Sequence, residues 1–468
     1  MKLKNSIPAL GRLGALAMLL AACGPANPAA KPDPVDPQMT TVTAGNPAFL
    51  LISDIHLNQA LDTVETWKNT PQCSCCGHYS DTGTALWTEA KSAIEAIVDP
   101  SNASRPRFMV FLGDMPAHNE SGSKLKGNIA TVLTDLRTIA QQNCIPLVYS
   151  PGNNDNLDGD YSAFTDSSGN ITFTADTGDP SAWPLIVPPS ASCSGAAPAT
   201  IANQDSIHLG YYSAYPLGKS AKLRTITLNS VIFDQYYPGN DAHLHDQKSE
   251  AFGQLRWLEA QLKDAASAHE QVILTMHIPP GKSYYGGRGH ANWASNITNK
   301  KRQNFEARFG EIVTGADNIA ALLYGHTHYD ELKVIEGGSA PFIALSCPGI
   351  TPQHCNNPGF KVVTYDPTSF APTGFTTHYA DFSGSRSRVF DQAYTFATSY
   401  GTGSGPSIFA VIDSLHTNGD DSSIEAGLCA TYEVKDENAG GLDCSGLLSV
   451  TFVDYDGGAT FAVDDQGE

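Results

Sequence analysis

The chain is short of positive charge. Against 48 Asp and Glu stand 28 Lys and Arg, a formal net charge of −20 over 468 residues. That excludes a general basic surface for nucleic acid, because neutralising phosphates takes clustered Lys and Arg. No nucleic acid is therefore expected as a structural partner. A phosphate-bearing small substrate stays open, since a bound metal ion can supply the largest local positive charge. Beyond the N-terminal leader no stretch is apolar for long enough to span a bilayer. No internal repeat is evident. No pair of C-x-x-C motifs accompanies Cys73, Cys75 and Cys76, so these read as disulfide cysteines before they read as a zinc cluster. Residues 410–468 hold thirteen Asp or Glu and one Lys without EF-hand spacing, and read as a solvated acidic face.

What is present begins with a leader. "MKLKN" is basic, "LGALAMLLAA" is apolar, and Cys23 follows at once. The string "LAAC" resembles a bacterial lipobox, in which the cysteine becomes the lipidated first residue, so residues 1–22 are expected to be a lipoprotein signal peptide. Residues 23–45, proline-rich, are expected to be an extended tether to a membrane-anchored Cys23. The expected setting is an exported, monomeric cell-envelope lipoprotein at the outer membrane or cell surface. Ten cysteines suit an oxidising compartment. Cys347–Cys355 and Cys429–Cys444 are the expected disulfides, by their short separations.

From 46 to 368 apolar runs alternate with helical patterns, the mark of an α/β domain. The runs are "AFLLIS", "RFMVFLG", "IPLVYS", "LRTITLN", "QVILTM", "IAALLYG", "PFIALS" and "FKVVTY". Helices are expected near 84–98, 123–142, 248–268 and 300–314; Phe252, Leu255, Leu258 and Leu262 recur at helical spacing. The polar stretch 156–206 reads as a long insertion. Residues 369–468 are expected to be a C-terminal extension, partly helical and acidic. The "DGG" of "TFVDYDGGATFAV" is a hairpin signal.

Chemistry collects after the apolar runs. Asp54 and His56 follow "LLIS", Asp114 follows "MVFLG", Asn153 follows "LVYSPG", His277 follows "VILTM", and His326 and His328 follow "ALLYG". In α/β sheets ligands gather at the carboxyl ends of strands, so five strands would deliver seven donors to one edge. Carboxylate, carboxamide and imidazole together suit a borderline divalent ion. Seven donors exceed one tetrahedral site and suit two ions sharing a carboxylate. The D-x-H and H-x-H spacings place alternate residues on one side of an extended segment, and glycines 113, 152 and 325 allow close turns. A lone buried histidine is usually only a hydrogen-bonded core residue; the ordered set of five pieces carries the reading.

The order D-x-H, GD, GN, a lone His, then G-H-x-H resembles the calcineurin-like metallophosphoesterases. "GDMPAH" at 113–118, "HIPPG" at 277–281, "GHTHYDE" at 325–331 and "NPGFKVVTYD" at 357–366 are similar to their acid sphingomyelinase-like phosphodiesterase branch. The resemblance implies two packed mixed β-sheets flanked by helices (αββα), with residues 46–368 as the catalytic domain. It implies two divalent ions, zinc first, with manganese and iron as alternatives. Asp54, His56, Asp114 and His328 would hold one ion; Asp114, Asn153, His277 and His326 the other, with Asp114 bridging. The implied reaction is hydrolysis of phosphoric diesters by a metal-activated hydroxide. Its substrate would be a phosphodiester-containing small molecule or a sphingomyelin-like phospholipid.

One departure stands out. The family reads "GNH" where this chain has Asn153-Asn154, and that histidine contacts phosphate and is linked to leaving-group protonation. Asn154 can donate a hydrogen bond to phosphate but cannot hand over a proton. His118 becomes the candidate acid, and Asp155 is expected to brace the loop. "GNND" also occurs in endopolyphosphatase-like relatives, so endopolyphosphatase, nucleotide pyrophosphatase and phosphomonoesterase activities remain alternatives. A weakly catalytic surface lipoprotein that binds a ligand or partner is the alternative of another class.

Overall fold

The structure is a computed structural model. It describes residues 46–61, 81–163, 186–187, 189, 192–194, 199–237, 246–284, 290–291, 293, 295–298, 301–338, 340–354, 356–382, 388–402, 407–418, 422–435 and 444–455. The leader, the tether and the Cys73–Cys76 cluster lie outside these residues. Among them no helix is long and apolar enough to cross a membrane.

All eight apolar runs form strands. Ala48–Ile52, Met109–Phe111 and Leu147–Tyr149 pair in parallel; Gly359–Tyr365, Pro372–Tyr379 and Gln392–Thr395 extend that sheet antiparallel on one side and Ile186–Val187 on the other. The second sheet runs Phe452–Asp454, Leu332–Glu336, Phe342–Ser346, Ile319–Tyr324, Gln271–Thr275, Leu223–Thr227, Tyr212–Tyr215, Thr200–Asn203. Its centre, from Leu223–Thr227 to Phe342–Ser346, is parallel. Strands such as "AFLLI" and "IAALLY" are buried at every position, as strands covered on both faces must be. Both sheets are mixed and flanked by helices.

The helices follow their apolar stripes. Thr84–Val98 buries Leu86, Trp87, Ala90, Ile94 and Val98, three to four residues apart. It is tied to Gly122–Gln142 through Asp135, which accepts from Trp87 Nε1 and pairs with Lys91 Nζ, both at 2.8 Å. Gln247–Ser267 starts at Asp246, whose side chain accepts the Lys248 N–H as an N-cap. It packs on Gln271–Thr275 and Leu223–Thr227.

Three readings change. The helix expected at 300–314 starts at Phe305, after the paired strands Ser295–Thr298 and Lys301–Asn304. The insertion expected at 156–206 contributes the strands Ile186–Val187 and Thr200–Asn203. In the C-terminal region, Phe452–Asp454 pairs in parallel with Leu332–Glu336; residues beyond 455, where the other arm of a hairpin would lie, are outside the described ones. The region is also helical, over Ile408–Asn418, Ser422–Tyr432 and Cys444–Thr451.

The cysteine pairing is corrected. Cys144 is bonded to Cys193, a pair 49 residues apart that no local spacing signals. Cys347 is a free, fully buried thiol. It sits directly after Phe342–Ser346 in the hydrophobic core, so it cannot serve the expected bridge to Cys355, which lies outside the described residues. Cys429 is disulfide-bonded; the side chain of Cys444, its expected partner, is not described.

Candidate active site

The loops after the five strands are stitched edge to edge. Asp54 N–H donates to Gly113 O at 2.9 Å, Ile55 N–H to Asp114 O at 2.8 Å, and Gly325 N–H to His277 O at 3.0 Å. Ile350 N–H reaches Ser53 O at 3.2 Å and Thr351 N–H reaches Asp54 O at 3.0 Å, joining a loop of the second sheet to a loop of the first. All seven donor residues thereby meet where the two sheets adjoin.

The local conformation is not the extended one that the spacing implied. Asp54, His56, Asp114, His326 and His328 all have positive φ, from 45° to 70°. Each left-handed non-glycine residue costs on the order of 1 kcal/mol, and five such residues cluster here. The donor side chains of D-x-H and H-x-H converge because the chain turns at each of them. Of the three glycines, only Gly113 has positive φ, at 98°. Gly152 is needed for room: a Cβ there would collide with the Asp114 carboxylate. At Gly325 it would collide with Ser53 Oγ and stand 2.9 Å from Asp54 Oδ2.

The donor atoms face one another. His56 Nε2 lies 3.3 Å and His277 Nε2 3.2 Å from Asp114 Oδ2. His328 Nε2 lies 3.4 Å from Asp54 Oδ1, and His277 Nε2 3.1 Å from Asn153 Oδ1. The far nitrogens are committed: His277 Nδ1 donates to Leu112 O at 2.7 Å and His56 Nδ1 to Pro116 O at 3.0 Å. With a cation bound between them, imidazoles held this way would be neutral and turn Nε2 lone pairs toward it beside the carboxylate oxygens, the arrangement of histidines that ligate metal. His56 Nε2 is buried with no hydrogen-bond partner. Acceptors converging on acceptors fit a cation between them. The carboxylates and imidazoles form three groups with donor atoms within 4.8 Å of one another: Asp54, His56, Asp114; Asp114, His277, His326; and His56, His118, His328. Asp114 belongs to the first two.

Electrostatics follow from burial. Desolvation opposes charge on His326 and His328 and lowers them to about 3 and about 4, with neighbouring imidazoles adding to the effect for His326. Both stay neutral and available as ligands at neutral pH. Desolvation also opposes charge on His277, but Asp114 and Asp54 outweigh it and raise it to about 9. Asp54 is held well below its ordinary range: burial works against ionisation, and His328, His56 and His277 overcome it.

Asp155 braces the site as expected. Its Oδ2 accepts from Gly152 N at 2.7 Å, Asp114 N at 3.1 Å and the Tyr149 hydroxyl at 2.5 Å, and its Oδ1 from Met115 N at 2.7 Å. Asn154 is buried with its carboxamide on Asp114 rather than in the cavity: Nδ2 donates to Oδ2 at 2.9 Å. His118 stacks on His56 with ring centroids 3.8 Å apart, and its Nδ1 is 2.7 Å from Asp81 Oδ1. The sequence did not single out Asp81, since nothing links it to "GDMPAH". It did not single out Asp160 either, whose Oδ1 accepts from Asn153 Nδ2 at 2.7 Å and so turns Asn153 Oδ1 toward His277. The spacing "GNNDNLDGD" could have suggested it.

A cavity of about 670 Å³ opens over the donors, lined among others by Asp114, His118, Asn153, His326, His328 and His354. His354 packs edge-on to His328 at 4.3 Å. Within residues 279–293, Ser283 lines the cavity and Tyr284 is buried; Tyr285 and Arg288 lie outside the described residues.

Two mixed sheets with carboxylates, carboxamide and imidazoles converging at their joint define a metal-dependent phosphoester hydrolase. Residues 47–330 match the calcineurin-like phosphoesterase family, and the chain belongs to that family. It is 26% identical to Sphingomyelinase phosphodiesterase D of Dictyostelium discoideum, across 73% of this chain and 77% of that protein. It is 28% identical to Cyclic GMP-AMP phosphodiesterase SMPDL3A of Homo sapiens, across 37% of each chain. With Acid sphingomyelinase-like phosphodiesterase 3b of Homo sapiens it shares 25% identity, over 44% of this chain and 46% of that one.

Proposed function

We propose that the protein hydrolyses phosphoric diesters at a two-metal centre, with Asp54, His56, Asp114 and His328 holding one divalent ion and Asp114, Asn153, His277 and His326 the other. The observation that carries this reading is the convergence of the His56 and His277 Nε2 atoms on Asp114 Oδ2 while their Nδ1 atoms are fixed on backbone carbonyls. Zinc suits this donor set best, with manganese and iron next. Two such ions supply Lewis acidity and water of lowered pKa.

The chain's own residues do the rest. Asp155 and Asn154 hold the Asp114 loop and carboxylate in place. Asp160 fixes the Asn153 carboxamide. Asp81 accepts from His118 Nδ1 and so sets the ring with Nε2 available to a leaving oxygen. Protonation of the departing alkoxide by His118 is worth about 10²–10⁴ in rate for poor leaving groups. The sphingomyelinase-like relatives support a phospholipid or related small diester as substrate. A lipidated Cys23 would place the enzyme at the cell envelope, in reach of such lipids.

The test is hydrolysis of bis-p-nitrophenyl phosphate by metal-loaded protein. Turnover that falls at least a hundredfold in Asp114→Ala is expected. Metal-loaded wild type without turnover would leave the surface-binding lipoprotein as the better reading.

A further inference from the structure

Among the described residues, two imidazoles line the cavity without belonging to either set of candidate ion donors, His118 and His354. His354 sits half-buried in the loop after Phe342–Ser346. Its ring stands edge-on to His328, centroids 4.3 Å apart, and is inclined at 88° to His118, centroids 6.1 Å apart. The start of the loop is fixed on the donor cluster. Gly349 N–H donates to His328 O at 3.0 Å, Ile350 N–H to Ser53 O at 3.2 Å and Thr351 N–H to Asp54 O at 3.0 Å. A Cβ at Gly349 would stand 3.3 Å from both Asp54 Cβ and His328 Cβ, so the backbone passes close against two of the donor residues. Past His354 the loop closes on itself, where Asn356 Nδ2 donates to Thr351 O at 3.1 Å. His354 is pinned through its own carbonyl, which accepts the Tyr329 hydroxyl at 2.9 Å, and the Tyr329 ring stacks on Tyr432 with centroids 4.4 Å apart. A side chain on a loop held this closely has little freedom left to lose when it receives a ligand.

The cavity opens directly over the donor cluster, so a phosphate drawn to ions held there meets its wall. An oxygen of that phosphate facing the wall calls for an N–H donor. Asn154 is buried with its carboxamide committed to Asp114 Oδ2. His118 is set by Asp81 for the leaving oxygen. A neutral imidazole keeps one N–H to donate. At 6.1 Å from His118, the His354 ring can reach a second oxygen of the same tetrahedral group. We propose that His354 is a substrate-binding residue that donates a ring N–H to a non-bridging oxygen of the phosphodiester. The two imidazoles then divide the phosphate, His118 at the oxygen that leaves and His354 at one that stays on phosphorus. This assignment rests on the phosphodiesterase reading above and adds a residue to it. A non-bridging oxygen is charged in the substrate as well as in the transition state, so the contact stabilises both alike and its loss falls on KM. It is also indifferent to the leaving group, which separates His354 from an acid.

The experiment uses metal-loaded full-length protein and two variants. His354→Leu removes the donor; His354→Gln keeps an N–H donor on a side chain of similar reach. Binding is read by calorimetry with inorganic phosphate, and turnover with bis-p-nitrophenyl phosphate and diphenyl phosphate, a good and a poorer leaving group. In His354→Leu, phosphate affinity should fall about tenfold, as expected for one lost hydrogen bond to a charged oxygen. KM should rise by a similar factor for both diesters while kcat changes little, and His354→Gln should recover most of the loss. Metal content should match wild type in both variants. Phosphate affinity and KM unchanged in His354→Leu overturn the proposal. A loss of metal also overturns it, since His354 would then support His328 instead of substrate. So does a kcat loss confined to diphenyl phosphate, which would make His354 an acid. If His354→Leu fails to fold, the imidazole nitrogen resonances of wild type decide. A His354 signal, assigned by its absence in His354→Gln, should shift on addition of phosphate, and one that stays in place overturns the contact. Wild type that turns over neither diester, yet binds phosphate about tenfold tighter than His354→Leu, keeps the contact and rejects the reaction. Wild type that neither binds phosphate nor turns over a diester rejects both.

Discussion

Asn154 holds both oxygens of Asp114: its backbone N–H donates to Oδ1 at 2.8 Å and its carboxamide Nδ2 to Oδ2 at 2.9 Å. The residue that stands where the family resemblance implies a histidine thus orients the one carboxylate shared by two donor groups. Outer partners of a metal ligand typically matter 10- to 100-fold in metal affinity. Asn154→Ala is therefore expected to weaken binding of at least one ion by about that factor, read by metal titration against a chelator. Unchanged affinity in a folded variant would move Asn154 back to the substrate.

Asp114→Ala should go further. It removes an oxygen from both candidate ion sites, and elemental analysis should fall from close to two ions per chain to less than one. A variant that keeps both ions would reject the bridging role.

His118 and Asp81 divide the work differently. His118→Ala should leave metal content intact and lower kcat by about 10²–10⁴ on alkyl diesters, but far less on p-nitrophenyl esters, whose leaving group needs little protonation. Asp81→Asn should reproduce the same leaving-group dependence at about a tenth of the size, because it disturbs the His118 ring without removing it. Equal losses on good and poor leaving groups would show that His118 positions phosphate and donates no proton.

Cysteine chemistry gives a structural test. Cys144 and Cys193 close a 49-residue separation, for which the chain-entropy model gives about 4 kcal/mol. The double serine variant should lose about 2–4 kcal/mol in denaturant unfolding. Cys347, fully buried with burial raising its thiol, should resist alkylation in the native protein and react once unfolded. Peptide mapping that finds Cys347 in a disulfide would contradict this.

Asp234 predicts a pH effect on stability. Its folded carboxyl lies at about 6 against an ordinary 3.8, with burial as the first cause and Asp160 as the repelling neighbour. A raised folded value means the folded state is favoured while the group is protonated and loses that advantage as pH rises through the window from about 4 to 6. Asp234→Asn should therefore unfold at the same temperature as wild type at pH 4 and be more stable at pH 8, by on the order of 2 kcal/mol. Equal melting shifts at both pH values would mean that the carboxylate is not strained in the fold.

Much of the architecture was legible in the chain. Eight apolar runs became eight strands, and three of the expected helices match theirs within a residue or two at each end, because periodicity is a local property and a buried strand or amphipathic helix has no other way to present its apolar side chains. The five motif pieces were legible for the same reason: each sits directly after a run, so its place at a strand end follows from sequence alone. The tertiary structure decided the rest. Left-handed φ at Asp54, His56, Asp114, His326 and His328 is imposed by loops that bond to one another across up to 300 positions, and nothing in D-x-H or H-x-H requires it. The grip of Asn154 on Asp114, the pairing of Asp81 with His118 and of Cys144 with Cys193, and the edge strand Phe452–Asp454 beside Leu332–Glu336 each join segments tens to more than a hundred residues apart. Such contacts leave no periodic trace, since they depend on which surfaces packing brings together rather than on what the neighbouring residues are.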